Sequence, residues 1–167
     1  MFTRMNATRI NAYISAGSNL GDRDANLRGG LRALGETPGV RVAAVSSFRE
    51  TDPVGGVPQP LFLNLAARLE ISPALSPEAL LAEMQRVERA FGRRRETEIR
   101  GGPRTLDLDL LLFGDETRAT DFLALPHPRM WERAFVLAPL RDVAAPALRA
   151  KLENFPATAP GVRPWRA

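Results

Sequence analysis

The 167-residue chain contains no cysteine, which removes disulfides, thiolate metal sites and cysteine nucleophiles together. Histidine and lysine are nearly as scarce: His127 and Lys151 are single occurrences, so arginine carries almost all the positive charge. No apolar run approaches the roughly 20 residues needed to span a bilayer. The stretch from Met1 to Arg9 is polar and lacks the apolar core of a signal peptide. A cytoplasmic protein without a membrane partner is expected. What is present, 44% hydrophobic and 25% charged residues, is ordinary for a globular chain. One domain is expected over 1–167, with its core at about 10–150 and a loosely packed tail over 151–167.

The formal net charge is +4, and its distribution is uneven. Between Arg86 and Arg104 stand seven arginines (86, 89, 93, 94, 95, 100 and 104) against Glu88, Glu96 and Glu98, an excess equal to the whole net charge. Arginine suits forked recognition of phosphate or carboxylate. A nucleic-acid binder would spread its charge along a stripe, whereas a local cluster points to a small polyanion. Taken one at a time, Arg93, Arg94 and Arg95 also fit a solvated helix end.

Periodicity predicts a short strand over 11–15, a helix over 24–34 with Leu27, Leu31 and Leu34 on one face, and a second strand over 40–48. Three prolines and two glycines make 51–60 a loop. Residues 61–71 read as the clearest strand, with odd-numbered apolar residues on one face and Phe62, Asn64, Ala66, Arg68 and Glu70 on the other. Ser76-Pro77-Glu78 is a helix start, and the helix carries Leu80, Met84, Val87 and Phe91 as far as Gly92. A strand follows over 105–113, then a helical stretch from Arg129 ending at Pro139. Strand, helix, strand, strand, helix, strand is the ferredoxin-like βαββαβ order, an α+β fold. It implies an antiparallel sheet with helices on one face and an active site on the other.

The densest chemistry lies in Arg104-Thr105-Leu106-Asp107-Leu108-Asp109-Leu110. If the leucines at 106, 108, 110 and 112 point one way, Asp107 and Asp109 point the other, their Cα atoms about 7 Å apart. Two carboxylates at that spacing repel unless a cation lies between them, and hard oxygen ligands suit magnesium, which completes its shell with water and substrate phosphates. An isolated Asp-x-Asp is commonly a solvated strand face. Here the strand is otherwise apolar, aspartate is a poor strand former, and the arginine cluster and the Phe62–Asn64 face adjoin it. Gly17-Ser18-Asn19 reads as a turn that could simply cap the first helix, and His127 between two prolines could be structural. A sheet of this kind could also bind single-stranded RNA on exposed aromatics, but two aspartates would repel the phosphates.

Gly-Pro-Arg-Thr-Leu-Asp-Leu-Asp over 102–109 resembles the signature of the 6-hydroxymethyl-7,8-dihydropterin pyrophosphokinase family of folate biosynthesis. The resemblance extends through Gly17 to Gly21, Ser46-Ser47-Phe48, Thr51-Asp52-Pro53, Phe62-Leu63-Asn64, Gln85 to Gly92, Pro126-His127-Pro128 and Arg133 to Leu140. It implies transfer of pyrophosphate from ATP to the hydroxymethyl oxygen of the pterin, releasing AMP, with two magnesium ions and ATP as co-substrate. Asp107 and Asp109 match the metal-holding aspartates, and Arg93, Arg95, Arg100 and Arg104 the phosphate-binding arginines. Arg93, Arg95 and Arg104 are thereby counted with the aspartates as catalytic. Gln85, Glu88, His127 and Arg133 fall at ATP-contacting positions. Phe62 and Phe135 match the aromatic pair around the pterin, with Asn64 at its edge and Thr51, Asp52 and Val54 alongside. The resemblance implies a monomer working on two small molecules, without nucleic acid. Gly101 stands where several members carry tryptophan, and Phe122 and Ala124 where some carry an arginine and a threonine.

Overall fold

The computed structural model describes residues 8–166. Its main sheet is built from β1 (Ile10–Ser18), β2 (Val40–Val45), β3 (Arg49–Thr51), β4 (Phe62–Ile71), β5 (Asp107–Phe113) and a C-terminal β8 (Val162–Pro164). The order is β5-β1-β4-β3-β8, with β2 also pairing β4, and every pairing is antiparallel. A two-stranded hairpin, β6 (Arg118–Ala119) and β7 (Ala124–Leu125), stands apart from it.

Helices α1 (Arg23–Gly35) and α2 (Pro77–Ala90) lie on one face. Asp22 caps α1 by accepting from the Ala25 N–H at 3.0 Å, and Ser76 caps α2 with Pro77 in its first turn. Their leucines meet Ala12, Ile14 and Ala16 of β1, Leu63, Leu65, Ala67, Leu69 and Ile71 of β4, and Leu108 and Leu110 of β5 in the main core. The expected alternation of β4 is therefore present, except that Leu61 precedes the strand and stays exposed.

The other face is not left open as the βαββαβ reading implied. A single 3-10 turn (Met130–Glu132) leads into α3 (Ala134–Val143), and α4 (Pro146–Leu152) follows. Their apolar side chains pack with Tyr13, Ala66 and Leu111 in a second core. The Tyr13 hydroxyl accepts from the Ala145 N–H at 3.1 Å. Pro139 does not end α3, contrary to the sequence reading: it lies near the middle of the helix, where its missing N–H costs one bond, and buried Val136, Leu137, Leu140 and Val143 carry the helix on.

The β1–β5 register shifts between Tyr13 and Ile14, so Leu112 faces the second core while Phe113 enters the first. This bulge overturns the expectation that Leu112 continues the face of 106, 108 and 110, because one extra residue reverses a two-residue period. Gly17 and Ser18 belong to β1 rather than to a helix cap. The C-terminal segment is tied to the fold at a few points: Leu152 is fully buried, β8 pairs with β3 and Trp165 stacks on Phe48.

Candidate active site

Along β1 the side chains facing α3 and α4 are Tyr13, Ser15 and Gly17 in succession, and the helical cover stops short of the last two. Register then places Gly17 opposite Asn64 on one side and Asp107 on the other, and Ser15 opposite Asp109. These residues floor a cavity of about 440 Å³. Gly17 is required by contact: a Cβ there would lie 2.7 Å from Asn64 Oδ1. Asn64 is buried and donates through Nδ2 to Thr51 Oγ1 at 2.6 Å. A depression of about 580 Å³ between α1 and α2 is larger, but of its two carboxylates, Glu36 and Glu83, the second is already paired with Arg86 at 2.8 Å, and its lining gathers neither an aromatic ring nor an arginine cluster.

The cavity brings together Thr51, Asp52, Val54, Phe62, Asn64, Arg93, Arg95, Arg100, Arg104, Asp107, Asp109, His127, Arg133 and Phe135. Gln85 and Glu88 are not in its lining. Glu88 lies beneath it, 1% exposed, where its carboxylate accepts from Arg93 at 3.1 Å, from Arg95 Nη2 at 2.7 Å and from the Leu108 N–H at 2.7 Å. That position suits a brace for two arginines and for β5, and the buried carboxylate is out of reach of a ligand in the cavity. Burial pushes the Glu88 carboxyl up, with the Leu108 N–H and Arg93 opposing it.

The two aspartates differ in their surroundings. Arg93 hydrogen-bonds one oxygen of Asp107, and Arg104 Nη1 donates to the other at 3.0 Å. Burial works against ionisation there, but Arg104 and Arg93 outweigh it and hold the Asp107 carboxyl below the usual range. Asp109 lies 3.7 Å from Arg133, with Arg104 acting on it more weakly. Burial and the neighbouring Asp107 charge push its carboxyl up to about 7. A divalent cation beside both would relieve that repulsion, so the donors fit magnesium. Magnesium held by two carboxylates would take its remaining ligands from water and phosphate.

Each aromatic ring already carries a guanidinium over one face, Arg104 at 5.4 Å from Phe62 and Arg133 at 5.7 Å from Phe135. His127 accepts at Nδ1 from the Arg129 N–H at 3.2 Å, which leaves Nε2 as the donor of a neutral ring. Burial, and next Arg133, lower its pKa.

Sequence reasoning missed four contributors. Ser15 and Arg129 line the cavity; Ser15 could have been found from its shared parity with Gly17 on β1, while nothing marked Arg129. Asn19 and Gln59 tie the three loops together. Asn19 Nδ2 donates to Gln59 Oε1 and to the Pro60 carbonyl, both at 3.0 Å, and Asn19 Oδ1 accepts from the Arg104 N–H at 2.8 Å. Gln59 Nε2 in turn donates to the Gly101 carbonyl at 2.8 Å. No periodicity marks an amide between two loop prolines, so Gln59 gave no signal.

A family model described as 7,8-dihydro-6-hydroxymethylpterin-pyrophosphokinase matches residues 13–145. The chain belongs to this family. A pyrophosphokinase of the family from Bacillus subtilis is 46% identical over 155 residues, covering 93% of this chain and 90% of that protein. One from Methylorubrum extorquens is 42% identical over 133 residues, covering 80% and 82%. A mitochondrial bifunctional folate-synthesis protein of Pisum sativum is 41% identical over 135 residues, but the match spans only 25% of its length. Among solved structures, wild-type HPPK-DHPS of Plasmodium falciparum aligns with a TM-score of 0.62 over 83% of this chain and 41% of that one. At 13% identity that likeness speaks for the fold alone.

Proposed function

We propose that the 440 Å³ cavity is the catalytic site for transfer of pyrophosphate from ATP to 6-hydroxymethyl-7,8-dihydropterin, on a ferredoxin-like βαββαβ sheet. The chain is an ATP-dependent pyrophosphokinase of folate biosynthesis. The observation that carries the assignment of roles is that one cavity joins two aromatic rings and an amide to two carboxylates and a set of arginines. Phe62 and Phe135 take the flat pterin between them, Asn64 and Thr51 hydrogen-bond its edge, and Asp52 and Val54 close the wall. Arg93, Arg95, Arg100, Arg104 and Arg133, with the His127 Nε2–H, bind the triphosphate. Glu88 acts from below, by aiming Arg93 and Arg95.

Asp107 and Asp109 hold magnesium, two ions in our reading, and the metal supplies neutralisation of the triphosphate charge. In the free chain Asp107 is already neutralised by Arg93 and Arg104. Substrate binding lets those arginines turn from carboxylate to phosphate, so no bare charge is buried at any stage. The hydroxymethyl oxygen attacks the β-phosphorus, a new P–O bond forms, the bond between the β-phosphorus and the oxygen bridging to the α-phosphate breaks, and AMP leaves with that oxygen. The hydroxyl proton is released. The residues act by positioning and by stabilising charge, the two means on which phosphoryl transfer chiefly relies. The 51–60 and 93–102 loops flank the reacting groups, and their closure over both substrates would exclude water. A monomer acting in the cytoplasm is the corresponding working state.

The test is AMP release from ATP and magnesium with and without the hydroxymethyldihydropterin. Pterin-dependent AMP, equimolar with pterin diphosphate, is the expected result. ADP or free pyrophosphate as product, or AMP formed without pterin, would overturn the assignment.

A further inference from the structure

The C-terminal strand contributes no residue to the cavity lining, yet its contacts converge on one wall of it. β8 pairs with β3 through Thr51↔Val162, Glu50↔Arg163 and Arg49↔Pro164. Just before β8, the Gly161 carbonyl accepts from the Asp52 N–H at 2.9 Å. The backbones are so close that a Cβ on Gly161 would lie 2.7 Å from Asp52 Oδ2, and the φ of +76° there is one glycine adopts freely. Arg163 Nη2 donates to Asp52 Oδ1 at 2.7 Å. Beyond the strand, the Trp165 N–H donates to the Phe48 carbonyl at 3.2 Å and the indole stacks on the Phe48 ring, centroids 5.6 Å apart. β8 also packs against α3, whose first turn carries Phe135.

Thr51 and Asp52 are thus held from outside by backbone pairing, by a close glycine contact and by a guanidinium, while their inner sides face the cavity. Thr51 Oγ1 is the acceptor that fixes the Asn64 amide, so its position reaches the cavity floor. Past Asp52 the chain is exposed at Val54, Gly55 and Gly56, and nothing within 4 Å of Gly55 or Gly56 would meet an added Cβ. The point at which the loop leaves the sheet is therefore set largely by what grips Asp52. We propose that residues 161–165 form a strap that positions the pterin-side wall of the site, with Arg163 as the positioning residue for Asp52. The inference rests on the assignment of that wall to the pterin. It predicts an effect confined to one substrate, because the strap touches β3, Asp52, Phe48 and α3 but not the arginine loop.

The experiment compares Arg163→Ala, Arg163→Lys and a chain ending at Pro160 with the full chain. Arg163 is 46% exposed on its side chain, so its replacement should leave folding intact. Arg163→Ala should raise KM for the hydroxymethyldihydropterin about threefold, the scale of one exposed ion pair, with KM for ATP and Tm near wild type. Arg163→Lys should restore most of the loss, and the shortened chain should show a larger rise in the same KM. An unchanged pterin KM in Arg163→Ala, or equal changes in both KM values, would overturn the strap even if the shortened chain failed to fold. A full chain with no pterin-dependent AMP release would overturn the functional reading itself, a result seen before any variant is made.

Discussion

Asp107 and Asp109 are two residues apart and chemically identical, but the fold gives them opposite proton affinities. Arg93 and Arg104 grip Asp107, whereas Asp109 has one cation at 3.7 Å and a raised pKa of about 7. A raised carboxyl favours the folded chain while protonated. That contribution is full below the ordinary carboxylate range and is lost as pH rises through about 7. Metal-free protein should accordingly lose stability between about pH 4 and 7 by an amount that Asp109→Asn abolishes, as denaturant melts of the two proteins across that range would reveal. Metal must displace the same proton, so magnesium should bind about tenfold more weakly at pH 6 than at pH 8; calorimetric titration that gave equal affinities would refute the assignment of Asp109. Glu88 presents the complementary case, a buried acid whose partners are all internal. Glu88→Gln should cost about 3 kcal/mol, since it leaves Arg93 short of charge in a buried place. Its kcat should fall because Arg93 and Arg95 lose their aim, with stability read from melts and kcat from AMP release.

At the scale of elements, the site exists because β1, β4 and β5 run side by side with α3 stopping short of their ends. Gly17 is where that arrangement is tightest. Gly17→Ala would drive a methyl group against the Asn64 amide, so it should raise KM for the pterin by about tenfold while KM for ATP changes little; steady-state kinetics with each substrate varied would decide. The helix start at Ser76, the alternation of β4 and the outward-facing aspartates were legible in the sequence because each depends on local chemistry or on a short period, whereas the cap of α1 is Asp22 and not the Gly17-Ser18-Asn19 turn. The reversal at Leu111–Leu112 was not, since a bulge is fixed by the partner strand. Nor was the course of α3 past Pro139, which depends on burial against Tyr13 and Ala66. Among site residues, those carried by the Gly-Pro-Arg-Thr-Leu-Asp-Leu-Asp run and by the β4 face could be read directly. The inward turn of Glu88, the bridging amides of Asn19 and Gln59, and the pairing of β8 depend on contacts between segments more than 10 residues apart, to which periodicity is blind.

For the whole molecule, the net charge of +4 is concentrated where it can be used. Six arginines, 93, 95, 100, 104, 129 and 133, line the cavity against three aspartates, 52, 107 and 109. Asp52 is further offset from outside by Arg163. Under the proposed assignment the positive excess faces the triphosphate, and the aromatic and amide side of the same cavity takes the uncharged ring. The two substrates should therefore respond differently to salt. Raising sodium chloride from about 50 to 300 mM at saturating magnesium shortens the screening length from about 14 to 6 Å. ATP affinity should then weaken by roughly fivefold, because several guanidinium groups act on the triphosphate from partly exposed positions. Pterin affinity should stay within about twofold, since burial and stacking do not depend on screening. Equilibrium titration of each ligand alone at the two salt concentrations measures the contrast. Parallel weakening of both would mean that salt loosens the cavity as a whole, and would remove the division of the site into a charged and a neutral half.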